Sequence, residues 1–196
     1  QLSLIAILIG VAHGLGAAPA VSIRTDFPGG NALIKTNAGS TVYLEPDLRG
    51  DRPWFYWLFE AKALRSGEVT FVFPHKVIGF LNGAIGFQGP AISFDRGQSW
   101  DWMGTERVTK NKFTHAFEKA GDIVQFGVTI PYTEDDLKKF LRARKENPHI
   151  SQKKLTNSRK GRAVELIRIG KPGPGKKPVM ITARHQNNGT CPRKAI

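Results

Sequence analysis

Short apolar runs separated by turn residues fill the chain between positions 21 and 130. The clearest run is 68–73, in which Val69, Phe71 and Phe73 share one face of a strand. Similar runs predict further strands at 32–34, 41–44, 54–61, 77–81, 91–94, 100–102 and 122–130. Many short strands joined by regular turns predict a mostly β domain at 21–130, with the fold of an antiparallel β-sandwich or jelly roll.

The pattern changes at Pro131, after which a helix is predicted. Thr133 can cap this helix, because Asp136 follows three residues later and acids fill the first turn. The apolar stripe of the helix is formed by Leu137, Phe140 and Leu141. The Asn-Pro pair at 147–148 ends it, and runs at 150–156, 163–169 and 178–182 predict three more strands. A helix followed by strands, after an all-β block, predicts a second domain at 131–196.

An uncharged apolar run occupies positions 2–18 and leads into the small-x-small pattern of Ala18, Pro19 and Ala20. Signal peptidases cut after such patterns, so residues 1–20 are predicted to be a signal peptide, and the mature chain would start near Val21. The protein would then be exported, either secreted or periplasmic. The run is short and glycine-rich for a membrane-spanning helix, so no transmembrane span is expected in the mature chain. The alternative is a buried first strand or helix in a cytoplasmic protein.

The composition is that of a folded protein, because 40% of the residues are hydrophobic and 23% are charged. The 21 glycines and 12 prolines favour turns and β-structure over long helices. The single cysteine, Cys191, excludes an intramolecular disulfide framework. It also excludes zinc or iron–sulfur sites that need several cysteines.

Charge is distributed unevenly along the chain. Residues 1–131 carry 12 Lys and Arg against 11 Asp and Glu, whereas residues 132–196 carry 17 against 5. Almost all of the net charge of +13 therefore lies in the last third. Such a segment can bind an acidic or other anionic partner, or it can be a solvated basic face. It contains no recognised nucleic-acid-binding motif, so we expect no nucleic acid as a partner.

The sequence offers few candidates for catalytic, binding or metal-ligating residues. The aromatic stretch at 54–57 could stack on sugars or bases, but aromatics that alternate along a strand are typical of a core. No two histidines have metal-ligand spacing on one element, and His75, His115 and His149 are predicted to lie at the surface. His185 follows a predicted strand, and loops after strand ends carry catalytic groups in α/β enzymes. Taken alone, however, the position of His185 favours a residue that has no catalytic role.

A series of phrases in a fixed order resembles a known family. They are DFPGGN at 26–31, VYLEPDLR at 42–49, WFYW at 54–57, GPAIS at 89–93 with SW at 99–100, IPYTEDDL at 130–137, SRKGRAVEL at 158–166 and ITARH at 181–185. They resemble zinc metallocarboxypeptidases of the carboxypeptidase A clan, in the subgroup similar to cytosolic carboxypeptidases. The resemblance implies a β-sandwich domain at 21–130. It also implies that 131–196 is the incomplete N-terminal part of an α/β peptidase domain.

The resemblance also implies an activity. Enzymes of this family remove C-terminal residues from peptides or proteins, and they hold zinc with two His and one Glu. The zinc lowers the pKa of a bound water and polarises the scissile carbonyl. A later Glu acts as general base, and an Arg pairs with the terminal carboxylate of the substrate.

The chain departs from the family pattern where the first zinc ligands are expected. The family has Arg-x-His-x-x-Glu, but counting from Arg184 places Gln186 at the His position and Gly189 at the Glu position. Shifting by one residue makes His185 the ligand and places Asn188 where Glu is needed. His185, or in the other frame Gln186, is thus the candidate metal position.

A neutral amide binds zinc poorly, so we expect a truncated carboxypeptidase without activity or tight zinc binding. A frameshift or premature end near His185 would account for the change. The alternative is a non-catalytic β-sandwich binding module whose basic tail holds an acidic partner.

Overall fold

The computed structural model describes residues 17–49, 52–53, 55–74, 83–158 and 161–181. One helix, α1 (Glu134–Arg142), occurs in these ranges among a series of strands. The strands are β1 (Val21–Arg24), β2 (Leu33–Ala38), β3 (Thr41–Glu45), β4 (Leu48–Arg49), β5 (Arg52–Pro53), β6 (Leu58–Ala63), β7 (Gly67–Val72), β8 (Ala91–Ser93), β9 (Asp101–Trp102), β10 (Lys112–Phe117), β11 (Ile123–Gly127), β12 (Ile150–Asn157) and β13 (Ala163–Ile169).

Two sheets form the first part of the described chain, here called the sandwich. One has the order β1-β6-β11-β8-β9, and every neighbouring pair in it is antiparallel. The other has the order β10-β7-β3-β2 and contains one parallel pair, β3 with β7. The mostly β fold class is confirmed, and the one departure from the predicted antiparallel pattern is this parallel pair.

Aromatic side chains from both sheets meet in the core. Phe59 of β6 lies 5.1 Å from Phe71 of β7, and Phe126 of β11 lies 5.1 Å from Phe113 of β10, measured between ring centroids. These four rings are fully buried, as is Trp57, whose indole nitrogen donates to the Ala84 carbonyl at 2.8 Å. Each such side chain removes a large apolar area from water, so the contact between the sheets is the main source of stability.

The turn after β8 is organised by Asp95. Its carboxylate accepts hydrogen bonds from the backbone and hydroxyl of Ser99 and from the Ser93 hydroxyl. The Ser99 bonds, more than any other cause, lower the pKa of Asp95 to about 2. Arg96 and Gly97 have positive φ angles of 58° and 87°, which a tight turn of this kind requires.

Residues 132–181, here called the helix–hairpin region, follow the sandwich. The Thr133 side chain and the Asp136 side chain cap α1 reciprocally, as predicted. Antiparallel β12 and β13 then pair from Ile150 opposite Ile169 to Asn157 opposite Ala163. Most side chains of this hairpin are exposed on both faces. Across the described ranges, no helix has the length and apolarity needed to cross a lipid bilayer.

The strand predictions have mixed outcomes. Those at 41–44, 68–73, 91–94, 150–156 and 163–169 are confirmed to within a residue or two at each end. The strand predicted at 54–61 starts too early, since β6 begins at Leu58. The sequence pattern did not predict β10. The prediction of a strand at 178–182 is wrong over 178–181, where the chain is irregular. The predicted strand at 77–81 lies outside the described residues.

Candidate functional site

The 25–31 loop, which follows β1, is held tightly against β6. The Asn31 side-chain oxygen accepts from the Leu58 backbone nitrogen at 2.9 Å, and the Asn31 nitrogen donates to the Leu58 carbonyl at 3.0 Å. Gly29 has a φ of +88°, and a Cβ at Gly30 would lie 2.4 Å from the Thr25 carbonyl oxygen. The loop therefore needs glycine at both positions and asparagine next to them.

A buried carboxylate fixes the start of this loop. Glu60 on β6 is 5% exposed and accepts from Arg24 through both oxygens, at 3.0 Å each, and from the Gln125 amide at 3.0 Å. Burial alone would raise the pKa of Glu60, but the hydrogen bonds from Arg24 and Gln125 outweigh it and lower the pKa. The Arg24 guanidinium also lies over the Phe27 ring, 5.1 Å from its centroid. Glu60 thus orients Arg24, and Arg24 orients the loop.

The loop forms one wall of a cleft of about 1140 Å³. The other walls come from the strand-end segments near Asp47 and Tyr56, the start of α1, and the turn of the β12–β13 hairpin. The lining residues are Thr25, Asp26, Phe27, Pro28, Gly29, Gly30, Asn31, Asp47, Tyr56, Tyr132, Thr133, Glu134, Asp135, Ser158 and Arg162. The cleft therefore lies where the sandwich meets the helix–hairpin region.

The two sides of the cleft approach closely at Gly29. A Cβ there would lie 3.5 Å from the Thr133 methyl group and 3.9 Å from the Tyr56 hydroxyl oxygen. At the helix start, Glu134 pairs with Lys138 at 2.9 Å. The hydrogen bond from Lys138 is the main cause that lowers the pKa of Glu134, and Arg162 contributes through its charge.

The cleft can bind polar groups, because it presents carboxylates, hydroxyls, three aromatic rings and one guanidinium. Among the residues described, its lining contains neither histidine nor cysteine. It therefore offers no nucleophile beside an imidazole base and no metal ligands of these two kinds.

The metal position predicted from the sequence is not among the described residues. His185 and Gln186, with Asn188 and Gly189 of the two alternative frames, lie outside the described residues. Within the described ranges, no three His, Cys, Asp or Glu side chains are grouped closely enough to hold a metal ion. The structure thus neither brings these positions to the cleft nor separates them from it.

Two of the other histidines predicted to lie at the surface are among the described residues. His149 is exposed, as predicted. His115 is half-buried rather than exposed, because it lies on the core face of β10 between the rings of Phe117 and Phe126, at 4.7 and 5.3 Å. Burial lowers the pKa of its imidazole. The signal that was missed is the alternation of Phe113, His115 and Phe117 on one strand face. His75 lies outside the described residues.

The aromatic stretch at 54–57 belongs mainly to the core. Trp57 is fully buried and packs on Phe73 with ring centroids 4.7 Å apart. Phe55 and Tyr56 are half-buried, and Trp54 lies outside the described residues. Residues 55–57 therefore do not form an open stacking surface, and Tyr56 reaches the cleft instead.

Comparison with known proteins gives a fold. No protein-family model and no curated protein matches the chain. Solved structures of bacterial proteins described as carboxypeptidases match it with TM-scores from 0.56 to 0.64. The described fold is carboxypeptidase-like. The structure of the metallo-carboxypeptidase from Burkholderia cenocepacia is 18% identical, has a TM-score of 0.63, and covers 81% of this chain and 41% of its own.

A second match is the Pseudomonas aeruginosa metallo-carboxypeptidase in complex with (2-guanidinoethylmercapto)succinic acid. It is 20% identical with a TM-score of 0.56, and the match covers 79% of this chain and 41% of that one. The chain thus spans about two fifths of the length of the solved proteins that it matches.

Proposed function

We propose that the chain contains the β-sandwich domain and the first elements of the peptidase domain of a zinc-dependent carboxypeptidase. Such an enzyme would remove C-terminal residues from peptides or proteins. The observation that supports this most is the extent of the fold match. Residues 1–131 make up only two thirds of the chain, so a match over 81% extends beyond Pro131 into the helix–hairpin region. A shared sandwich alone would not give that coverage.

The residues described do not fit a zinc site. They provide no group of three ligating side chains, and the cleft lining contains no histidine. Beyond position 181 the sequence has one histidine, one cysteine and no Asp or Glu. A His₂Glu site therefore cannot be built from 182–196, and we derive no catalytic step through zinc from these residues. We propose that the 196 residues by themselves have no peptidase activity.

Two measurements test this proposal together. The gene is read across the codon for Arg184 and past the codon for Ile196 in all three frames. We expect a frame that encodes His-x-x-Glu followed by a long peptidase-like stretch. The purified 196-residue chain is then incubated with peptides of varied C-terminal residues and zinc, with and without a chelator. We expect intact peptides by mass spectrometry and less than one zinc per chain.

The outcomes separate the two parts of the proposal. Chelator-sensitive trimming by the 196-residue chain would show a carboxypeptidase and refute its inactivity. If no frame encodes His-x-x-Glu and no trimming occurs, the enzyme proposal fails for this protein.

A second candidate function is a non-catalytic binding module whose basic region holds an acidic polypeptide. The observation that favours it is the exposure of the cations in the helix–hairpin region. Between positions 138 and 181 the described residues include twelve Lys and Arg, and only Glu146 and Glu165 oppose them. The strands β12 and β13 contain no aromatic residue on which a base could stack, which favours an acidic protein over a single-stranded nucleic acid.

Retention on immobilised polyglutamate tests this candidate. A variant with Lys153, Lys154, Arg168 and Lys171 changed to Ser is compared with one in which Lys62, Lys110, Lys112 and Lys119 of the sandwich are changed to Ser. All eight residues are exposed, and both variants lose four charges. We expect only the first to elute at clearly lower salt. Equal shifts would mean that net charge alone causes retention.

We also propose that the protein is exported and that the apolar run at 2–18 serves as its leader. The uncharged composition of that run supports this.

A further inference from the structure

Residues 17–20 are an integral part of the sandwich. The Ala20 nitrogen donates to the Gly39 carbonyl at 2.6 Å, and the Ala20 carbonyl accepts from Leu64 at 2.8 Å. The Ala17 carbonyl accepts from Gly39 at 2.8 Å. Arg65 adds bonds to the carbonyls of Ala18 and Pro19 at 3.2 and 3.3 Å. This short segment therefore joins the β2–β3 turn to the end of β6.

Cleavage after Ala20 would damage this arrangement. It would remove all five hydrogen bonds and leave the backbone groups of Gly39 and Leu64 without these partners. It would also place a charged α-ammonium group on Val21, whose side chain is 0% exposed in the intact sandwich and belongs to the hydrophobic core. The sandwich thus keeps all five bonds only in a mature chain that begins before Ala18.

The sequence offers another small-x-small pattern at a suitable place, Gly14-Leu15-Gly16. Gly16 and Ala18 form a further small-x-small pattern, which would direct a cut after Ala18. That cut would still remove the hydrogen bond from Gly39 to Ala17, and it would make Pro19 the new terminus. A cut after Gly16 keeps every contact of residues 17–20. Ala17 is exposed, so the new ammonium group would stay in water.

Building on the export proposal, we propose that leader removal cuts the Gly16–Ala17 peptide bond. A signal peptidase adds water across this bond, leaving a carboxylate on Gly16 and an α-ammonium group on Ala17. The mature protein then begins with Ala17 and contains the complete sandwich.

The first test is the N-terminal sequence of exported protein. The chain, preceded by Met and two lysines to supply a start and a positive leader end, is produced in a bacterium and recovered from outside the cytoplasm. We expect Ala17 as the first residue by N-terminal sequencing and intact mass. Gly16→Tyr should abolish this product, whereas Ala18→Tyr, which blocks cleavage after Ala20, should leave the cut at Ala17 unchanged.

The results distinguish this proposal from the export proposal. A mature chain that starts at Val21, or at any residue other than Ala17, overturns the assigned bond while supporting export. An unprocessed chain that stays in the cytoplasm overturns the export proposal, and the assigned bond fails with it.

A second measurement is independent of export. Two chains are prepared with defined first residues, Ala17 and Val21, and their thermal unfolding is compared. We expect the chain that starts at Val21 to melt at least about 4 °C lower, because it lacks the five hydrogen bonds. Equal melting temperatures would show that residues 17–20 are dispensable and would overturn the structural basis of the proposal.

Discussion

The sandwich and the helix–hairpin region are both built from paired strands, yet they differ in what the strands bury. In the sandwich, Phe71, Phe113 and Phe126 are 0% exposed because a second sheet covers them. In the hairpin, Leu155 and Ile169 are 60% and 78% exposed, since β12 and β13 have no second layer among the described residues. Pairing satisfies the backbone in both regions, but only layer packing removes apolar area from water. The sandwich therefore holds most of the folding free energy.

The largest expected effect comes from removing one core ring. Phe126→Ala should destabilise the protein by about 3–5 kcal/mol, because it leaves a cavity between the two sheets. Ile169→Ala in the hairpin is the matched control and should cost less than about 0.5 kcal/mol. Denaturant unfolding followed by tryptophan fluorescence measures both, since the buried Trp57 reports on the same core. Similar losses in the two variants would mean that a surface not visible in this structure covers the hairpin.

The regions also differ in how they were predicted from the sequence. Local signals were sufficient for the cap of α1, which needs only Thr133 and Asp136, and for β7, whose apolar residues alternate regularly. β10 was missed because His115 interrupts the apolar pattern between Phe113 and Phe117. The parallel pairing of β3 with β7 could not be predicted, since pairing between distant segments leaves no local pattern.

The candidate site was harder to predict than the fold. Its cleft combines five segments spread along the chain, from Thr25 to Arg162. The phrase at 26–31 carries part of the family resemblance, but its physical reason appears only in three dimensions, where Gly30 lies against the Thr25 carbonyl and Asn31 bonds to Leu58. Nothing near Glu60 in the sequence indicates that Arg24 is its partner.

An intermediate effect is expected from two matched carboxylates, one in each region. Glu60→Gln removes a buried charge that accepts from Arg24 and Gln125, so it should cost about 1.5–3 kcal/mol. Glu134→Gln removes an exposed pair with Lys138, which water screens, and should not change stability measurably. Chemical denaturation of the two variants at low and high salt tests this contrast. If Glu134→Gln were the more destabilising change, the start of α1 would be bound more firmly to the sandwich than its exposed charges indicate.

The smallest expected effect is a change in pH dependence. Burial lowers the pKa of His115 below its ordinary value, with Asp122 opposing and Arg107 adding to the shift. The unfolded chain therefore takes up the proton first, and this contribution to stability is lost as the pH falls below about 6.5 toward the folded pKa. His115→Phe should flatten the fall in stability that the wild type shows between pH 7 and pH 5. Denaturant midpoints at half-unit pH steps measure both slopes. Parallel curves for wild type and His115→Phe would place the imidazole in water rather than between Phe117 and Phe126.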